Sequence, residues 1–139
     1  MQFIRHNHPR NGATAVEFAM VAPVAFMLIF GLFECSRLVM VKQAATNAAR
    51  EGGRKSVLAT TTTYEQIKAV AVNHLLAVVP EELGANAISV TVTPADFGTV
   101  TNGTLITTTV AVKFADISWL PQWFFGDLEV RGTSTMERD

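Results

Sequence analysis

Read for its pattern of apolar and polar positions, the chain changes period twice. From Ala13 to Phe33 there is no period at all: about 21 residues run almost without interruption through apolar side chains, the length a helix needs to cross a bilayer. Glu17 is the only charge in that run. From Leu38 to Arg54 the helical signal continues without proline, and alanine, the best helix former, recurs at Ala44, Ala45, Ala48 and Ala49. The two stretches predict one helix. Taken from Ala13 to Lys55 it would be ~65 Å long against a hydrocarbon core of ~30 Å, so half of it must stand outside the membrane as a stalk. Pro23 removes one hydrogen bond and should kink or loosen the membrane segment.

Ala44, Ala48 and Gly52 form one i, i+4, i+8 row, with Ala45, Ala49 and Gly53 beside it. Such a smooth face admits close approach of another backbone, either a helix of a second subunit or the chain's own second helix. The threonines Thr60 to Thr63 read as a break, because β-branched residues are poor helix formers. A second helix then begins at Thr63, whose spacing to Gln66 is that of a capping box, and Ile67, Val70, Ala71, His74, Leu75 and Val78 make its apolar stripe up to Pro80.

Beyond Asn86 the period becomes two. Ile88, Val90 and Val92 alternate with polar residues; after an Asn102-Gly103 turn signal the alternation returns through Ile106, Val110, Val112 and Phe114. Leu128, Val130 and Met136 begin and end a third strand. Three antiparallel strands need a cover, which the second helix supplies, so the expected fold is α+β: a long membrane-spanning helix, a stalk, and a small sheet with one amphipathic helix packed on it.

Composition sharpens this picture and removes several functions. At 139 residues, 49% hydrophobic and 17% charged, the chain has room for one modest domain plus an attached segment. A net charge of −1 provides no basic stripe for nucleic acid. The single cysteine, Cys35, excludes an intrachain disulfide and any multi-cysteine metal site, and its position suggests a neighbouring helix beside it, on an edge shared with Glu34, Leu38 and Val41. His6 and His8 precede the membrane segment and His74 falls on the apolar stripe as a core residue, so no histidine pair has metal-ligand spacing. Asp96, Asp116 and Asp127 fall at strand ends and loops, where Asp ordinarily makes turns. With no nucleophile, base or phosphate loop in evidence, no enzyme, no cofactor and no small-molecule substrate is expected. The stretch "SWLPQWFF", Ser118 to Phe125, brings together Trp119, Trp123, Phe124 and Phe125 as either an exposed docking patch or an aromatic lid; a core this small favours the lid.

The N-terminus is not a conventional secretory signal. Its apolar run is too long, contains an acid, and ends in Phe33-Glu34-Cys35 rather than in small residues. Nor does the charge distribution set the topology, since Arg5 and Arg10 precede the run while Arg37, Lys42, Arg50, Arg54 and Lys55 follow it.

The stretch "RNGATAVEFAMVAPVAFMLIFGLFECSRLVMVKQAATNAAREGGR", Arg10 to Arg54, resembles the N-terminal signature of TadE-like pseudopilins, minor pilins of tight-adherence (Flp, type IVc) pilus systems. Gly12, then four residues, then Glu17-Phe18 match the family's processing site, and "NAAREGGR" is nearly as characteristic; over the sheet the likeness is architectural, with "TSTMERD" in keeping. The resemblance implies cleavage by a prepilin peptidase between Gly12 and Ala13, with a cytoplasmic leader over residues 1–12, a membrane helix over 13–33, a stalk over 34–58 and a periplasmic pilin-like head over 63–139. It implies as partners the peptidase, the major Flp-type pilin, other minor pilins, an inner-membrane platform protein and membrane lipid. The assembly residues would be Ala13, Glu17 and the small-residue rows. A carboxylate in hydrocarbon costs on the order of 2.5–3.5 kcal/mol on insertion scales, so Glu17 either pairs with the new α-ammonium of Ala13 on a neighbouring subunit or reaches back to the headgroups. A membrane-anchored adaptor that never enters a filament is the alternative expectation.

Overall fold

The computed structural model describes residues 11–57, 63–79, 84–96, 99–119 and 127–138. It contains one helix long and apolar enough to cross a membrane, α1 (Asn11–Val57), a second helix α2 (Tyr64–Leu76), and three strands, β1 (Ile88–Thr93), β2 (Leu105–Lys113) and β3 (Glu129–Glu137). Single 3-10 turns precede β1 (Ala85–Ala87) and follow β2 (Phe114–Asp116). The α+β class, the two helices and the antiparallel sheet are those expected from the hydrophobic pattern.

The chain forms two units, residues 1–35 and 36–139. In the first, α1 runs through Pro23 without ending. Twelve large apolar side chains between Val16 and Phe33 are each roughly half or more exposed, among them Phe18, Met20, Met27 and Leu28 above 70%. No part of the apolar window is buried by the protein, so this is not the core helix of a globular fold. At ~1.5–3 kcal/mol for each such side chain taken out of water, the segment has a strong drive toward an apolar solvent that the protein itself does not satisfy.

In the second unit the sheet order is β1-β2-β3, both pairs antiparallel. The register sets Val90 opposite Val110 and Val112 opposite Val130, which puts the branched residues on one face. The other face carries two cross-strand rows, Thr91-Thr109-Thr133 and Thr93-Thr107-Thr135, with hydroxyls of Thr107 and Thr135 bonded at 2.9 Å. The core joins Val41, Ala44, Ala45, Ala48 and Ala49 of α1 with Ala71, Val72 and Leu75 of α2, the inward strand residues, Phe114 and Ile117. A satellite of Ile67, Val92 and Ile106 lies beside it.

Two expectations change here. Residues 36–57 do not form a stalk apart from the head; they belong to the head's compact unit and cover its sheet together with α2. The physical reason is area: one face of a three-stranded sheet is wider than a 13-residue helix can cover. His74 is exposed rather than buried. The buried stripe of α2 is Ile67, Ala71, Val72 and Leu75, continued by Val79 after the helix, while Val70 is half-buried and Val78 is 41% exposed. At the start of α2 Thr63 and Gln66 form the expected capping box, with the Thr63 amide donating to Gln66 Oε1 at 3.3 Å, and at the edge of β1 the Tyr64 hydroxyl donates to the Val90 carbonyl at 2.6 Å. Gly103, in the anticipated turn, has φ +86°, a left-handed conformation that suits glycine.

Candidate functional site

The expected processing junction lies within the first turns of α1. Gly12, Ala13, Glu17 and Phe18 are all helical and exposed, and nothing approaches within 4 Å of the position a Gly12 side chain would take. Ala13 and Glu17 are four residues apart and share one side of the helix. Among the described residues Glu17 makes no ion pair. The junction is therefore an accessible peptide bond beside a solitary carboxylate on an otherwise apolar rod. Arg5, His6, His8 and Arg10 lie outside the described residues, as do Thr60 to Thr62 and Pro80.

The small-residue rows are placed differently from the expectation of an assembly surface. Ala45, Ala48 and Ala49 have no exposed surface and Ala44 has 7%, all within the head's own core. A side chain on Gly52 would meet Thr108 Cγ2 at 3.2 Å and Ala71 Cβ at 3.5 Å; one on Gly53 would meet Met136 Sδ at 3.5 Å. The rows thus pack chiefly on the chain's own sheet, with α2 touching the Gly52 end. This corrects the assignment of Ala44, Ala45, Ala48, Ala49, Gly52 and Gly53 to contacts between subunits, because a face already buried inside the subunit has nothing left to offer another chain.

What allows that burial is a residue that periodicity did not single out. Gly132, in the middle of β3, faces α1 so closely that a Cβ there would stand 2.1 Å from the carbonyl carbon of Ala45, 2.2 Å from its oxygen and 2.3 Å from the Thr46 amide nitrogen. Strand backbone touches helix backbone at this point. The signal was available: a glycine interrupting a strand pattern marks close approach of another backbone. Beside it the Lys42 ammonium donates to the Arg131 carbonyl, and Arg131 Nε donates to Glu129 Oε2 at 2.8 Å.

Around the boundary of the apolar run, Glu34 and Val41 are buried and Leu38 half-buried, whereas Cys35 is exposed and off that edge. Trp119 is 75% exposed with the Arg37 guanidinium 4.9 Å from its ring centroid, so at this residue the aromatic stretch is an outward feature and not a lid; Trp123, Phe124 and Phe125 lie outside the described residues. Asp96 makes a turn through its main chain, its carbonyl accepting from the Thr99 amide at 2.9 Å and hydroxyl at 3.0 Å.

Compared with known proteins, residues 12–54 match the family model described as TadE-like protein. No curated protein and no solved structure matches the chain. The match covers α1 almost from end to end and leaves the sheet outside it. It suggests involvement in Tad pilus systems and association with pilus components in general, and the apolar helix is consistent with a membrane-anchored component of such a system.

Proposed function

We propose, from the premise that residues 12–54 are a TadE-like segment, that this protein is a minor pilin of a tight-adherence (Flp, type IVc) pilus. A prepilin peptidase cuts between Gly12 and Ala13 on the cytoplasmic face of the inner membrane. The head lies in the periplasm, and the processed subunit helps initiate, prime or cap the filament without catalysing a reaction. Its partners are the peptidase, the major pilin, other minor pilins and the platform protein.

The observation that carries this reading is the exposed rod from Ala13 to Phe33 with one acid, Glu17, a single turn from the amine that cleavage would create. Lipid satisfies the rod while the subunit waits; neighbouring apolar helices satisfy it in a filament. Glu17 and the Ala13 ammonium of an adjacent subunit are each costly to bury alone, and pairing them offsets both penalties and sets axial register. With the small-residue rows consumed inside the head, the rod becomes the surface for subunit contacts.

Mass spectrometry of the mature N-terminus tests the cleavage: the chain should begin at Ala13, and Gly12→Val should accumulate uncut protein. Glu17→Ala should insert in the membrane as well as the parent or better, yet fail to support piliation. Normal piliation by that variant would refute the register role. The consumption of the rows inside the head favours one second reading, an adaptor that stays in the membrane. It predicts an intact Gly12-Ala13 bond and no subunit in sheared filaments.

A further inference from the structure

Among the described residues Trp119 is the most exposed large hydrophobic side chain of the head, at 75%, and the Arg37 guanidinium lies over its ring. A large indole left in water forfeits much of its burial free energy, and one held over a cation has been given a fixed place on the surface. That place is defined by chain distance from the apolar run. Arg37 follows Phe33 by four residues in the same helix, a rise of about 6 Å. The polar layer on each side of a bilayer is only ~5–7 Å deep, so when Phe33 ends the hydrocarbon span, Arg37 falls at the headgroups. Met40, at i+3 on Arg37's side of the helix, is 55% exposed, and Val39 is 56% exposed. A cation with an indole over it, and an exposed thioether one helical turn from the cation, therefore lie at the depth where arginine, tryptophan and apolar side chains are each accommodated, the cation by phosphate and the ring by the acyl-headgroup boundary.

We infer that Trp119, with Arg37 and Met40, docks the head on the phospholipid headgroup layer of the membrane that α1 crosses. The inference rests on the membrane-spanning reading of α1. It adds a second attachment, through a loop far away in sequence, that fixes which side of the head faces the bilayer before assembly. Extraction into a filament must then strip Trp119 from lipid as well as the rod.

The test uses the full chain reconstituted in vesicles of phosphatidylethanolamine and phosphatidylglycerol, with Trp123→Phe leaving Trp119 as the only indole. Lipids brominated near the headgroup should quench its emission more than lipids brominated deep in the acyl chain, as for a ring held in the polar layer, and aqueous iodide should quench it less than it quenches free N-acetyltryptophanamide. Arg37→Gln should raise iodide access and abolish any difference between vesicles with and without phosphatidylglycerol. A spin label on Trp119→Cys in a Cys35→Ser chain gives the depth independently, by collision with oxygen against a water-soluble nickel chelate, should Trp123→Phe disturb the fold. A chain that floats with the vesicles while position 119 stays fully aqueous, or is shielded from both lipid and iodide by a second copy, overturns the docking but leaves the membrane reading standing. A chain that does not float at all overturns both.

Discussion

Gly132→Ala adds one carbon, and the structure says where it must go. The new Cβ would overlap three backbone atoms of α1 at 2.1 to 2.3 Å, where ordinary contact begins at 3.4 Å, so the helix and β3 must separate by about 1.3 Å. Neither side can yield locally, because the obstructing atoms belong to a helical main chain with its hydrogen bonds made. A gap of 0.5–1 Å already forfeits a quarter to a half of each dispersion contact, and the separation opens beneath Ala45, Ala48 and Ala49, which are wholly buried. Overpacking usually costs ~1–3 kcal/mol; a clash with backbone lies at or above the top of that range, on the order of 3 kcal/mol. For a head of this size each kcal/mol moves the melting temperature by ~4–8 °C, which predicts a loss of about 12–24 °C. Thermal melting of the full chain in detergent, followed by near-ultraviolet circular dichroism so that the apolar helix does not mask the transition, reads this directly. A variant melting within about 2 °C of the parent would refute the backbone contact between β3 and α1.

The neighbouring glycines should behave differently under the same assay. Gly53→Ala meets only the flexible Met136 side chain and Ser134 Oγ at ordinary distance and should stabilise the head by ~0.5–1 kcal/mol through helix propensity, whereas Gly52→Ala, tight against Thr108 Cγ2, should gain less. Thr108 Oγ1 is buried with no hydrogen-bond partner among the described residues, so Thr108→Val should raise the stability by ~1 kcal/mol in chemical denaturation. Tyr64→Phe removes the bond to the Val90 carbonyl at the sheet edge and should cost ~1 kcal/mol, seen as faster amide exchange in β1.

The period changes located both helices and the three strands, though not the 3-10 turns beside them, because a spanning run, a 3.6-residue stripe and a two-residue alternation are properties of single segments. What they did not determine was which segment covers which. The alanine rows announced a close approach without naming the approaching backbone, and both candidates considered were helices; the partner proved to be mainly a strand, identifiable only from Gly132 in a distant part of the chain. His74 lies outside the core because the buried stripe of α2 is narrower than its apolar residues suggest, α1 covering the remaining sheet surface. Trp119 stands outside the core, which among the described residues is filled by alanine, valine, isoleucine and leucine side chains with Phe114. Of the candidate site, Gly12, Ala13, Glu17 and Phe18 were readable because their character depends on local composition, an acid in an apolar run beside a glycine.

The seating of α1 on the strand main chain also determines how the head would bear a load. From Val41 to Gly53 the helix is a wall of the head rather than a tether attached to it, so tension along the helix axis reaches the sheet across the whole interlocked contact at once. Such loading shears many contacts together instead of peeling them in turn from a loop. Force applied to the helix between Val41 and Gly53 would be met by the sum of that interface, and these residues would leave the sheet together or not at all.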